Sequence, residues 1–244
     1  MLDGKVVIVT GAGQGIGRHA ATTFARQKAK VVIADVNEEK ARKTATELAR
    51  LTETVALSVD VRDEESVKRM IDQVVDHFGQ IDVHVNNAAI VPHFAWGIPR
   101  WPRISDMPKD FWDRVIQTNL NGTFNGTKHV IPHMEKRQTG HIINLYGGGG
   151  ITPAGACAYV VCKDAIRTFS RYVAEEVRSS NICVVTFSPR VPIVTEDARE
   201  EAFKRLPGPE ILGEGFVLAA QLPMEQSGGC LAYDNGKLVK ESVR

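Results

Sequence analysis

Cysteine is scarce and unorganised in this sequence. Cys157, Cys162, Cys183 and Cys230 fall at no zinc-ligand or redox spacing, which reads as reduced, mostly buried thiols of a cytoplasmic protein. A disulfide scaffold and a cysteine-built metal centre are thereby excluded. There is no run of basic residues either: 30 Lys and Arg face 29 Asp and Glu, for a formal charge of +1. The electrostatic footprint of a nucleic-acid or anionic-membrane partner is missing. No apolar run approaches a membrane span, and the opening "MLDGKVVIVTG" enters a strand pattern without signal-peptide architecture, so the mature chain is expected to start at Met1. Internal repeats and low-complexity linkers that would mark a second domain are also lacking. The expected partners are a small molecule and further copies of the chain.

What is present is alternation. The runs "KVVIVT", "KVVIAD", "VALSVD", "IDVHVNN", "HIINLY" and "ICVVTF" are apolar on both faces, as strands covered by helices on each side must be. Between them lie helical patterns. Asn37 caps one with Ala41, Thr44, Ala45 and Leu48 on one face; Asp63 caps another carrying Val67, Met70, Ile71, Val74, Val75 and Phe78, closed by Gly79. A β-α-β-α order implies right-handed crossovers and an α/β, doubly wound parallel sheet whose ligand sits at the carboxyl ends of the strands.

The residues just after each strand are therefore the candidates. "TGAGQGIG" places Gly11, Gly15 and Gly17 around Gln14 and Ile16 at the start of a helix. Such glycines allow a tight turn and close approach of backbone N–H groups to a diphosphate; a ligand-free turn satisfies the same pattern. Asp35, closing the second strand, suits an adenosine ribose and equally suits a turn. A 2′-phosphate would be repelled by it, and Gln14 offers no positive charge to compensate. Asp60 and Val61, and Asn87 within "NNAA", follow the next strands, where small and amide side chains would let an adenine lie flat. Asn119 stands in a helix-like pattern that asparagine disfavours, so it needs a reason to be there. Tyr159 and Lys163, four apart at the start of an amphipathic helix with Ile166, Phe169, Val173 and Val177, share a face. An ammonium beside a phenol pulls its pKa down from about 10 toward the range of a general acid or base.

Taken in order, these motifs resemble the short-chain dehydrogenase/reductase family, over nearly the whole chain. The resemblance implies a single Rossmann domain over residues 1–244, with about seven strands, the last near "CLAYDNGKL". It also implies NAD as cofactor and a cytoplasmic homo-oligomer, dimer or tetramer. Tyr159 would protonate a carbonyl or deprotonate an alcohol. Lys163 would bind the nicotinamide ribose and tune the phenol, and Asn119 would support a proton-relay water. Gly11, Gln14, Gly15, Ile16, Gly17, Asp35, Asp60, Val61, Asn87 and Ile193 would line the dinucleotide.

Two departures stand out. The family's catalytic serine falls at Tyr146 or Gly147, and neither is serine; Tyr146 is the first candidate to replace its hydroxyl, with Thr152 the second. The family's Pro-Gly after the sixth strand is Pro189-Arg190, in a segment that reads one residue long before Ile193 and Thr195. A long stretch between Ile90 and Pro108 offers Phe94, Trp96, Arg100, Trp101 and Arg103, to line a pocket for an apolar or aromatic substrate or to pack on another subunit. His129 and His133 have no organised third ligand, and no metal is expected. Three function classes result. The leading one is an NAD-dependent dehydrogenase or reductase, the second a catalytically weakened dinucleotide-binding sensor or structural subunit. A nucleic-acid-binding Rossmann protein has only fold analogy behind it.

Overall fold

A computed structural model describes residues 2–91, 102–147, 156–196, 200 and 204–241. Eight strands form one sheet: β1 (Val6–Thr10), β2 (Lys30–Asp35), β3 (Thr54–Ser58), β4 (Val83–Asn86), β5 (Gly140–Leu145), β6 (Ile182–Ser188), β7 (Cys230–Asp234) and β8 (Lys237–Lys240). Their order is β3-β2-β1-β4-β5-β6-β7-β8. All neighbouring pairs are parallel except β7 with β8. Among the described residues the sheet has one strand more than the seven or so expected. "CLAYDNGKL" is a hairpin rather than one strand, because Asn235 (φ 47°) and Gly236 (φ 85°) both take the left-handed conformation of a tight two-residue turn.

Helices cover both faces: α1 (Gly15–Arg26), α2 (Glu38–Leu48) and α7 (Gly215–Ala219) on one, α3 (Glu64–Phe78), α5 (Gly122–Arg137) and α6 (Cys157–Glu176) on the other, with α4 (Lys109–Ile116) beside α6. The local signals act as read. Asn37 accepts from Lys40 N, Asp63 accepts from Glu65 N, and Gly79 closes α3 at φ 74°. Ala41, Thr44, Ala45 and Leu48 are all buried. Strand β1 lies between β2 and β4, which the chain reaches by crossing over in opposite directions, so a crevice opens at the carboxyl ends of β1 and β4. The candidate residues converge on that crevice.

The stretch between α4 and α5 departs from expectation. Gln117–Asn121 widens into a π turn, with Asn119 buried at its centre. Such bulges inside helices free a backbone position for other use. Of the 90–108 stretch, Phe94, Trp96, Arg100 and Trp101 lie outside the described residues, as does Thr152; Arg103 is exposed.

Candidate active site

Strand β1 ends in the glycine turn. Gly11 (φ 64°) and Gly15 (φ 57°) are left-handed, and a Cβ on Gly17 would overlap the Gly11 carbonyl. Asn87 rivets this turn to the end of β4: its Nδ2 donates to Thr10 O at 2.8 Å and to Gly11 O at 3.1 Å. Thr10 Oγ1 returns the tie, accepting from Asn87 N at 3.1 Å. The first amide of α1, Gly15 N, donates to Glu196 Oε2 at 2.8 Å, a contact across the molecule that sequence reasoning missed.

At the end of β2, the Asp35 carboxylate accepts from Gly13 N and from Asn37 N, each at 2.9 Å. It is fixed at the tip of β2 and still faces the turn. The sequence reading saw no positive charge near Gln14; the fold brings one, since Lys40 Nζ donates to Gln14 Oε1. The two groups flank the same backbone: a Cβ on Gly13 would lie 2.7 Å from Lys40 Cβ and 3.0 Å from Asp35 Oδ2. Lys40 sits in the first turn of α2, three residues after the Asn37 cap, and reaches the glycine turn only through the packing of α2 beside it.

Asp60 is gripped by Arg62, whose Nε and Nη2 reach its two oxygens at 2.9 and 2.6 Å. Those hydrogen bonds hold its carboxyl below the usual range. Val61 is buried, and its carbonyl accepts from Asn125 Nδ2 at 2.9 Å. Below the site runs a buried polar chain. His84 Nε2 meets Asn86 Oδ1 at 3.0 Å, Asn86 donates to Asn144 at 2.8 Å, and Asn144 donates to Ser170 at 2.8 Å. It stitches β4 and β5 to α6. Complete burial pulls His84 down to about 4, and its Nδ1 has no hydrogen-bond partner among the described residues.

Asn119 has its reason. Its Oδ1 accepts from Ile90 N at 2.7 Å and its Nδ2 donates to Ile90 O at 2.9 Å, a two-point grip on the backbone that leaves β4. Its own carbonyl accepts from Thr123 Oγ1 at 2.9 Å.

Tyr159 and Lys163 are both buried, 8 and 3 % exposed, although they belong to residue types that usually keep their polar ends in water. Lys163 Nζ donates to Leu145 O at 2.7 Å and lies 5.6 Å from the centre of the Tyr159 ring. Burial pulls the ammonium down to about 8 and pushes the phenol up from its ordinary value. That direction is opposite to the sequence expectation, because the lysine is held by the Leu145 carbonyl rather than by the phenol, and burial dominates.

Tyr146 and Tyr159 are not joined by a hydrogen bond. The Tyr146 amide donates to Phe187 O at 2.8 Å, and its ring lies under the Arg167 guanidinium at 5.8 Å. The next residue comes closer to the phenol: a Cβ on Gly147 would stand 3.3 Å from Pro189 Cδ and 3.9 Å from Tyr159 Oη. Arg190, at φ 61°, turns its guanidinium outward to Asp234 and Glu241, while Ile193 is buried. Among the described residues no three metal-ligating side chains cluster, and His129 is occupied by Glu64 at 3.0 Å.

The chain as a whole has counterparts among known proteins. Residues 5–203 match the family model described as short chain dehydrogenase. A 3-oxoacyl-(acyl-carrier-protein) reductase FabG of Thermotoga maritima is 34% identical, over 98% of this chain and 99% of that protein. A cyclopentanol dehydrogenase of Comamonas testosteroni is 33% identical, over 94% of this chain and 89% of that protein. The solved 3-ketoacyl-(acyl-carrier-protein) reductase from Brucella melitensis, complexed with NADH, superposes with a TM-score of 0.81 at 26% identity, covering 95% of this chain and 97% of that one.

Proposed function

The chain belongs to the short-chain dehydrogenase family and is an oxidoreductase of CH–OH and C=O groups; from that premise we propose that it transfers hydride between NAD(H) and a small alcohol or ketone. One observation carries this reading: the buried Tyr159–Lys163 pair lies at the carboxyl end of β5, in the sheet whose glycine turn and Asp35 fit a dinucleotide. Gly11, Gln14, Gly15, Ile16 and Gly17 would hold the diphosphate, Asp35 the adenosine ribose, Asp60, Val61 and Asn87 the adenine side, and Ile193 the nicotinamide.

A nicotinamide held there would supply the hydride for reduction or accept it for oxidation. The chain's own task is the proton. Tyr159 Oη delivers it to the carbonyl oxygen during reduction and removes it from the hydroxyl during oxidation. Lys163, its ammonium 5.6 Å from the centre of the Tyr159 ring, would in its charged form steady the phenolate that reduction leaves behind. Asn119 positions the backbone at Ile90 that borders the substrate side.

A second reading, a dinucleotide-binding protein with weakened turnover, is favoured by one observation: the residue aimed at Tyr159 Oη is a glycine. An oxyanion-type donor is then supplied by substrate, water or a residue outside the described set. As a single domain in a cytoplasmic homo-oligomer, the protein would take an apolar or aromatic substrate through the 90–108 stretch. The deciding experiment follows NADH absorbance with purified protein across a panel of cyclic and aromatic alcohols and ketones, with Tyr159→Phe as control. Turnover that the variant lacks supports the enzyme; NADH binding without turnover on any substrate supports the second reading.

A further inference from the structure

The amide that the proposed function reserves for the cofactor's diphosphate is already engaged. Gly15 N, at the first residue of α1, donates to the Glu196 carboxylate at 2.8 Å. At that position the unpaired N–H groups and the helix dipole attract negative charge. A second contact accompanies it: Thr195 Cγ2 stands 2.8 Å from where a Gly15 Cβ would be, so two consecutive residues cover the glycine turn. The segment is anchored behind them, with Ile193 and Val194 buried and Val194 N bonded to Pro207 O at 2.9 Å. Arg18, one turn into α1, approaches the other carboxylate oxygen of Glu196 at 3.6 Å. The Glu196 side chain itself is 48% exposed, which leaves it room to swing off.

We propose that Glu196 is an internal counter-ligand of the dinucleotide, its carboxylate holding the diphosphate's place in the free protein and leaving when the cofactor seats. This rests on the dinucleotide reading above. One N–H accommodates one anion at hydrogen-bonding distance, and a carboxylate left beside a diphosphate repels it. The measured affinity is therefore the intrinsic affinity reduced by the cost of displacing Glu196. Glu196 thus sets how readily the empty protein accepts its cofactor, without touching the reacting atoms.

Glu196→Gln keeps the size and an accepting oxygen while removing the charge, and Glu196→Ala removes the group. The probes are NADH, ADP and adenosine, titrated by calorimetry against wild type and both variants. NADH and ADP are expected to bind about tenfold tighter to the variants, the worth of one charge-assisted hydrogen bond; adenosine, which has no phosphate, binds them as it binds wild type. Unchanged or weaker NADH and ADP binding overturns the proposal, and so does an equal gain for adenosine, which would mark a general opening of the site. Wild-type protein that binds none of the three removes the dinucleotide reading and this one with it; wild-type binding without a gain in the variants removes this one alone.

Discussion

Gly147 faces Tyr159: the bond that a side chain at position 147 would use ends 3.9 Å from the phenolic oxygen. A serine there would stand within reach of both the phenol and a carbonyl bound to it. Gly147→Ser is therefore expected to raise kcat, on the order of 10-fold or more, because one preorganised donor to a developing oxyanion is worth about 10²-fold when nothing replaces it. Pro189 Cδ, 3.3 Å from the new Cβ, must give slightly. Tyr146→Phe, lying under Arg167, is expected to leave kcat within about twofold. Steady-state kinetics on the two variants checks both outcomes; a large fall in Tyr146→Phe would return Tyr146 to the site.

Tyr159→Phe should abolish turnover and leave NADH affinity nearly intact, because the ring stays and only the proton-carrying oxygen goes. Lys163→Ala should damage both. Fluorescence titration with NADH beside the kinetics separates the two patterns.

Cofactor choice should respond to two residues in opposite senses. Asp35→Ala weakens NADH more than NADPH, since the carboxylate accepts from ribose hydroxyls and repels a 2′-phosphate. Lys40→Ala, which strips the cation beside Gln14, weakens NADPH more than NADH. Wild-type protein that binds NADPH as tightly as NADH would contradict the preference for NAD.

Stability should carry the signature of two buried bases. Lys163 has a folded pKa of about 8, below its ordinary 10.5, so between those values the unfolded chain binds more protons and stability rises with pH. Below about 8 the charged, buried lysine is a fixed burden. Lys163→Met is therefore expected to be more stable than wild type at pH 7, by about 1–3 kcal/mol after the lost bond to Leu145 O is counted, with the gain fading above pH 10. His84, about 4 against 6.5, works at the other end: stability falls as pH drops from about 6.5 to 4, and His84→Gln should flatten that limb. Urea denaturation at a series of pH values reads both slopes.

Much of this molecule was legible in its residues because the relevant signals are local. Period-two and period-3.6 patterns, the caps Asn37 and Asp63 and the glycines of "TGAGQGIG" all act within a few residues of themselves. What stayed hidden depends on approach between distant segments. Gly15 meets Glu196 across 181 residues and Gly13 meets Asp35 across 22, and no short window contains both members of either pair. The antiparallel β8 was missed because Asn235-Gly236 was read inside a strand rather than as a hairpin turn. The π turn at Asn119 was half visible, as an asparagine where a helix wants something else. Which of two adjacent residues aims at Tyr159 was not visible at all, since residues after a strand no longer follow its alternation.

The grip of Asn119 on Ile90 makes a clasp between the end of β4 and the helix turn facing it. Both the amide and the carbonyl of Ile90 are held, so the backbone that runs on from β4 and Asn87 is tied to the π turn at its first residues. Substitutions farther along the 90–108 stretch are therefore expected to leave NADH affinity within about twofold, and NADH titration reads the clasp directly.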